Sequence, residues 1–220
     1  ATGIKAIKIE EGDELIDVQI THGNNDVVIA SKHGLSVRFH ESDVREMGRD
    51  TTGVKGIELR DGDRVVGMVV IKREATLMVV TEKGLGKCSN IEDYRVQRRG
   101  GRGILTLNRT DRTGDVVALL EVLPEDEVML ITRGGMIIRS PVSQVRVAGR
   151  NTQGVKLVNL DVGDAVTAVA RVDRLDRRRC REHFEKRFTV ERMVKDYLRV
   201  YEDMIYDAGR LTAAETFLEV

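Results

Sequence analysis

The sequence lacks tryptophan, has only two prolines and two cysteines, and draws 4% of its 220 residues from the aromatics. Cys88 and Cys180 sit in unrelated contexts. This excludes a disulfide framework or a zinc site and fits a reducing cytoplasm. The four histidines, His22, His33, His40 and His183, are scattered without metal-ligand spacing and read as loop or surface residues. No apolar run approaches the roughly 20 residues of a membrane span, so no membrane partner is expected. The start, Ala1-Thr2-Gly3-Ile4-Lys5, has neither a signal-peptide shape nor an initiator Met and reads as a cut or processed end. Net charge is absent too, with 36 Lys and Arg against 36 Asp and Glu. A uniformly basic nucleic-acid binder is therefore excluded, and any grip on a polyanion must come from where the charges sit.

What the sequence does have is a repeat. Gly3-Ile4-Lys5, Gly53-Val54-Lys55, Gly103-Ile104-Leu105 and Gly154-Val155-Lys156 are spaced by 50, 50 and 51 residues. Each is followed by a Gly-Asp pair: Gly12-Asp13, Gly62-Asp63, Gly114-Asp115 and Gly163-Asp164. Apolar, β-branched runs at 26–31, 76–81 and 127–132 each lead to a glycine, Gly34, Gly84 or Gly135, and then to a further short strand at 36–39, 86–89 or 136–140. Strands are also expected upstream at 14–20, 64–71 and 116–122. About four strands per ~50 residues is the period of a propeller blade. The chain thus reads as mainly β, with about three four-stranded blades over 1–172 and an α-helical tail over 173–220. The glycines read as turn residues, since hairpin turns need positive φ.

The loop leading into each repeat carries the positive charge. The three copies are Arg45-Glu46-Met47-Gly48-Arg49-Asp50-Thr51-Thr52-Gly53, Arg95-Val96-Gln97-Arg98-Arg99-Gly100-Gly101-Arg102-Gly103 and Arg146-Val147-Ala148-Gly149-Arg150-Asn151-Thr152-Gln153-Gly154. Two arginines align in all three, Arg45/Arg95/Arg146 and Arg49/Arg99/Arg150, and the middle copy adds Arg98 and Arg102. Repeats are related by rotation, so aligned residues fall on one edge. A curved row of arginines suits phosphates, whose contacts give affinity without sequence preference. Lys32, Lys83 and Arg133 near the hairpin turns, and Arg38, Lys87 and Arg139 just beyond, would broaden the row. No recognition helix for base readout is visible.

The segment Gln97-Arg98-Arg99-Gly100-Gly101-Arg102-Gly103 resembles the glycine- and arginine-rich box of DNA gyrase A. Gly12-Asp13-Glu14-Leu15-Ile16, Val37-Arg38-Phe39-His40-Glu41-Ser42 and Gly149-Arg150-Asn151-Thr152-Gln153-Gly154-Val155 extend the similarity to its C-terminal domain, over 1–172. That resemblance implies a β-pinwheel, a strand-swapped propeller, that wraps duplex DNA on a basic rim. The family domain has six blades, and this stretch is similar to the last three. The box of the family lies in its first blade, whereas this copy lies in a later one. The resemblance implies a non-catalytic part of an ATP-hydrolysing type II topoisomerase. Its partners would be the rest of gyrase A, gyrase B and duplex DNA. No cofactor falls on this chain, because ATP and Mg belong to other domains. Tyr94 has nothing around it that suggests a nucleophile and is expected to pack.

After Val172 the spacing turns helical: Val190, Met193, Val194, Tyr197, Leu198, Tyr201, Met204 and Ile205, with Thr189 as N-cap. A charged helical stretch at 175–186 precedes it, and Arg177-Arg178-Arg179 reads as a solvated face. Phe188-Thr189-Val190-Glu191-Arg192-Met193-Val194 and Tyr197-Leu198-Arg199-Val200-Tyr201 resemble the C-terminal helix of family-4-type glycosyltransferases. Three alternatives to the gyrase reading stand here: the C-terminal domain of topoisomerase IV, a propeller scaffold that binds proteins and, from the tail alone, a glycosyltransferase fragment.

Overall fold

The computed structural model describes residues 3–172 together with Arg181, Glu182 and Glu185. The chain divides into two units, Ala1–Asp173 and Arg174–Val220. In the second, Arg181, Glu182 and Glu185 are helical, and Arg181 Nε donates to Glu185 Oε1 at 2.8 Å. The other tail expectations, including the glycosyltransferase-like segments and the arginine run, lie outside the described residues.

Among the described residues the first unit contains eleven strands: β1 Asp26–Ser31, β2 Leu35–His40, β3 Val65–Ile71, β4 Thr76–Thr81, β5 Leu85–Asn90, β6 Ile104–Leu105, β7 Val116–Val122, β8 Glu127–Thr132, β9 Ile137–Pro141, β10 Val155–Lys156 and β11 Val166–Val172. They form three antiparallel sheets in the orders β3-β1-β2-β6, β10-β5-β4-β7 and β11-β8-β9. A blade is therefore not one repeat. A hairpin from one repeat pairs on one side with the long strand of the next repeat and on the other with the short strand of the repeat after that. The first sheet takes β1 and β2 from the first repeat, β3 from the second and β6 from the third. The second sheet repeats the scheme with β4, β5, β7 and β10.

This exchange corrects two expectations. Residues 14–20 do not form a strand. Their equivalents β3, β7 and β11 pair with the hairpin of the preceding repeat, and no such hairpin exists for 14–20 among the described residues. Leu15, Ile16, Val18 and Ile20 accordingly stay exposed. The third sheet also has three strands rather than four, because no short strand lies on β9 among the described residues.

The strand period of two sends alternate residues into different cores. Leu77 and Val79 of β4 face Val28, Ala30 and Val69 of the first sheet, while Met78 and Val80 face Val128 and Leu130 of the third. Every residue of β4 from Leu77 onward is buried, so the middle sheet is covered on both faces. In β8 burial alternates instead. Each such fully buried side chain contributes about 1.5–3 kcal/mol. Val27, Val37, Phe39, Ile57 and Val70 form a smaller core on the other face of the first sheet.

Glycine is required where repeats cross. Gly34 turns the first hairpin at φ +83°, and a Cβ there would stand 2.7 Å from Leu107 O. Gly154 ends the third arginine loop at φ +80°, and a Cβ would meet Gly86 O at 2.5 Å. Both are positions where only a bare backbone fits.

Candidate nucleic-acid interface

The long strands at one end of each sheet, β3, β7 and β11, pack in succession. With Ile16, Asp17 and Gln19 they line an open cavity of about 490 Å³. These strands form the hub, and β2 and β5, with the short strands β6 and β10, stand at the opposite, outer edge of their sheets. The second and third arginine loops run along that edge. Val96 lies parallel to Arg38 of β2, and Gln97 N–H donates to Arg38 O at 2.7 Å. In the same way Val147 lies beside Cys88 of β5, with Cys88 N–H donating to Arg146 O at 3.1 Å and Ala148 N–H to Cys88 O at 2.8 Å.

One bond closes all three loops in the same manner. The N–H of Lys8, Glu58 and Asn108 donates to Thr51 O, Gly101 O and Thr152 O at 3.1, 2.9 and 3.1 Å. The loops thus share a local fold, and the aligned arginines occupy equivalent places. The first loop, 45–53, has no outer strand to lie on among the described residues.

The candidate side chains fall into three groups. Arg45, Arg49, Arg95, Arg98 and Arg146 are exposed, and none of their side chains bonds or pairs among the described residues. Arg133 is exposed as well, near Asp164. Arg99 and Arg150 hold their own loops: Arg99 donates to Lys55 O and to Asp43 O, and Arg150 donates to Leu105 O at 2.7 Å. Lys55 and Leu105 are repeat equivalents, so this is one structural device used twice. Among the described residues no carboxylate pairs with any of the six aligned arginines.

The third group is neutralised or occupied. Lys32 pairs with Asp115 at 2.9 Å, and Arg38 with Asp26 at 2.7 Å while also donating to Ile91 O and Tyr94 O. Arg139 pairs with Glu127, Arg102 lies 3.6 Å from Glu58, and Lys83 donates to Asp111 O. Asp115 also takes Arg109; burial opposes its ionisation, but the two cations hold its carboxyl below the usual value. Lys87 is fully buried, donating to Gly149 O and Arg150 O at 2.5 Å each. It cannot extend to a phosphate itself, which corrects the expectation of a surface contact. Its burial, together with nearby Arg150, lowers its pKa to about 8.

Tyr94 packs as expected. It is 1% exposed, and its hydroxyl lies 2.6 Å from Thr106 Oγ1. Burial raises its pKa, and the guanidinium of Arg150 stands 5.9 Å from the ring centroid. Among the described residues no three His, Cys, Asp or Glu side chains are grouped to hold a metal, and no helix is long and apolar enough to cross a membrane.

Comparison with known proteins follows the same outline. The family described as DNA gyrase C-terminal domain, beta-propeller, matches residues 1–22, 25–72, 75–122 and 126–173, and each of the last three segments holds the hairpin and the long strand of one sheet. The DNA gyrase A of Clostridium acetobutylicum is 47% identical over 175 residues, covering 80% of this chain and 21% of that protein. The DNA gyrase A of Ureaplasma parvum is 42% identical over 170 residues, covering 77% and 20%. The chain thus spans about a fifth of the length of these relatives. A solved DNA gyrase A C-terminal domain superposes with a TM-score of 0.73 at 28% identity, over 78% of this chain and 58% of that one. The C-terminal domain of DNA topoisomerase IV shares the fold, with a TM-score of 0.72 at 24% identity over 76% and 53%. With the family model matching nearly all of residues 1–173 and its last three segments following the three sheets, the chain belongs to the family of DNA gyrase A C-terminal domains.

Proposed function

We propose that the chain binds duplex DNA along its outer edge without reading bases, and bends it there, as a non-catalytic part of DNA gyrase A. The observation that carries this reading is the set of arginines unpaired among the described residues, Arg45, Arg49, Arg95, Arg98 and Arg146, at repeat-equivalent loops of a chain with no net charge. In the sequences of the second and third loops four and two arginines stand without an acid, whereas in the first Glu46 and Asp50 balance Arg45 and Arg49. Smoothly bending 20–30 base pairs costs about 1–6 kcal/mol, offset by additional phosphates reached along a curved edge. In the whole enzyme this module would serve ATP-dependent negative supercoiling in the cytoplasm, beside the rest of gyrase A and gyrase B, with ATP and Mg held by other domains. Lys32, Lys83, Arg133, Arg38 and Arg139 are secondary contributors, since most already have a partner.

The test is binding to random-sequence duplex over a salt series. The reading requires an affinity that falls steeply and linearly in log–log form as salt rises. A protein-binding scaffold gives no such slope, and a preference for one sequence contradicts the absence of base contacts.

A further inference from the structure

Lys87 breaks the repeat. Its equivalents are Val37 and Ile138, yet here an ammonium is fully buried. Among the described residues no carboxylate pairs with it. Its two bonds go to the carbonyls of Gly149 and Arg150 in the third arginine loop. Arg150 acts on it as a like charge, and Asp93, from the 3-10 turn after β5, opposes only in part. β4 faces it with Val79, its register partner. The other titratable groups nearby, Cys88 and Tyr94, are themselves buried and neutral. A buried ammonium beside a half-buried guanidinium, offset only in part by Asp93, is unfavourable, and an anion would complete the cluster.

The turn above Lys87 is built to supply donors. Thr152 N–H and Thr152 Oγ1 both donate to Gly149 O, at 3.3 and 2.9 Å, closing a turn over Gly149–Thr152. Among the described residues nothing accepts from the N–H of Gly149, Arg150 or Asn151. With Lys87 drawing the carbonyls of Gly149 and Arg150 inward, the donors are left to solvent. The middle loop lacks this combination. There the N–H of Gly100, equivalent to Asn151, is consumed by Gly56 O at 2.8 Å, and the position beneath is the apolar Val37. Consecutive free N–H groups backed by positive charge make an anion-binding concavity.

We propose that the Gly149–Thr152 turn, backed by Lys87, is a discrete phosphate site that takes one phosphodiester of bound duplex. The free N–H groups and the remaining donors of Arg150 make the contacts, with Arg146, unpaired among the described residues, in the same loop. Lys87 is a positioning residue, holding the turn and supplying charge through it. The proposal rests on the DNA-binding reading above and adds a proton linkage to it. An arriving phosphate favours the charged ammonium, so above pH 8 the free protein must take up a proton to bind.

The experiment measures duplex affinity of the full chain by fluorescence anisotropy at constant salt, from about pH 7 to about pH 9.5. Wild-type affinity is expected to fall above pH 8, by up to about tenfold per pH unit. Lys87→Met, which places an apolar side chain where the repeat tolerates one, is expected to bind more weakly at pH 7 and to lose the pH dependence. Lys87→Arg is expected to keep the affinity without the fall, because its charge persists. A wild-type profile in Lys87→Met with duplex binding intact overturns the site alone; no duplex binding at any pH overturns the DNA reading beneath it. Amide NMR separates the sources of phosphate. The Arg150 and Asn151 N–H resonances are expected to move with duplex, and more weakly with inorganic phosphate, but not with chloride at matched ionic strength. Movement with inorganic phosphate and none with duplex contradicts a DNA contact.

Discussion

Replacing Arg45, Arg49, Arg95, Arg98 and Arg146 together with alanine removes five exposed charges that no carboxylate among the described residues neutralises. If each meets one phosphate, the log–log salt slope drops by about 0.9 per arginine, or about 4.5 in all. Across a fourfold change in salt, from about 50 to about 200 mM, that slope corresponds to roughly a 500-fold change in affinity. Arg99 and Arg150 stay in place, because they hold their loops through Lys55 O and Leu105 O. The assay is fluorescence anisotropy with random-sequence duplex, with circular dichroism to verify the fold. A matched control replaces Arg38, Arg102 and Arg139, each already paired with a carboxylate. The control is expected to change the slope by less per residue. A five-arginine variant that retains the wild-type slope refutes the reasoning, as does a control that loses as much per arginine.

Leu77→Ala is expected to cost about 2–5 kcal/mol in urea melts, because the side chain is fully buried between two sheets. Ile137→Ala, on the uncovered edge of the third sheet and 62% exposed, is expected to stay within about 0.5 kcal/mol. Gly154→Ala combines a positive φ with a contact at 2.5 Å to Gly86 O, and is expected to destabilise by about 1–3 kcal/mol or more. For Lys87 the folded pKa, about 8, lies below the ordinary 10.5. Between those values the unfolded chain holds the proton and the folded chain sheds it, so stability from this group rises with pH. The gain amounts to as much as about 3 kcal/mol and is absent in Lys87→Met.

The repeat, the hairpins and most strand positions were legible because glycines recur at fixed spacing and the strands between them are short and β-branched. β1, β4, β7 and β8 fall where the apolar runs place them. The strand exchange is implied by the family resemblance but not by periodicity, since β6 and β10 are two residues each. That same exchange explains why residues 14–20, with a strand-like composition, remain unpaired. At the candidate interface, the arginine loops could be found by alignment of the repeats. The division between free and paired cations could not, because the pairs form across strands and between repeats: Asp26 and Glu127 lie across their hairpins from Arg38 and Arg139, and Asp115 lies far along the chain from Lys32. By sequence Lys87 resembles the surface cations around it. The apolar residues at its equivalents, Val37 and Ile138, are the signal that its position faces inward.

The central claim concerns where the duplex lies, and site-directed crosslinking tests that most directly. With Cys180 replaced by serine and Cys88 left buried, a single cysteine is placed either at Val96, 56% exposed on the outer edge, or at Thr167, which lines the hub cavity. Each is labelled with an aryl azide and irradiated with duplex. Adducts are expected from Val96→Cys and none above background from Thr167→Cys. Adducts from the hub, or none from the outer edge under conditions where duplex is bound, contradict binding along the outer edge.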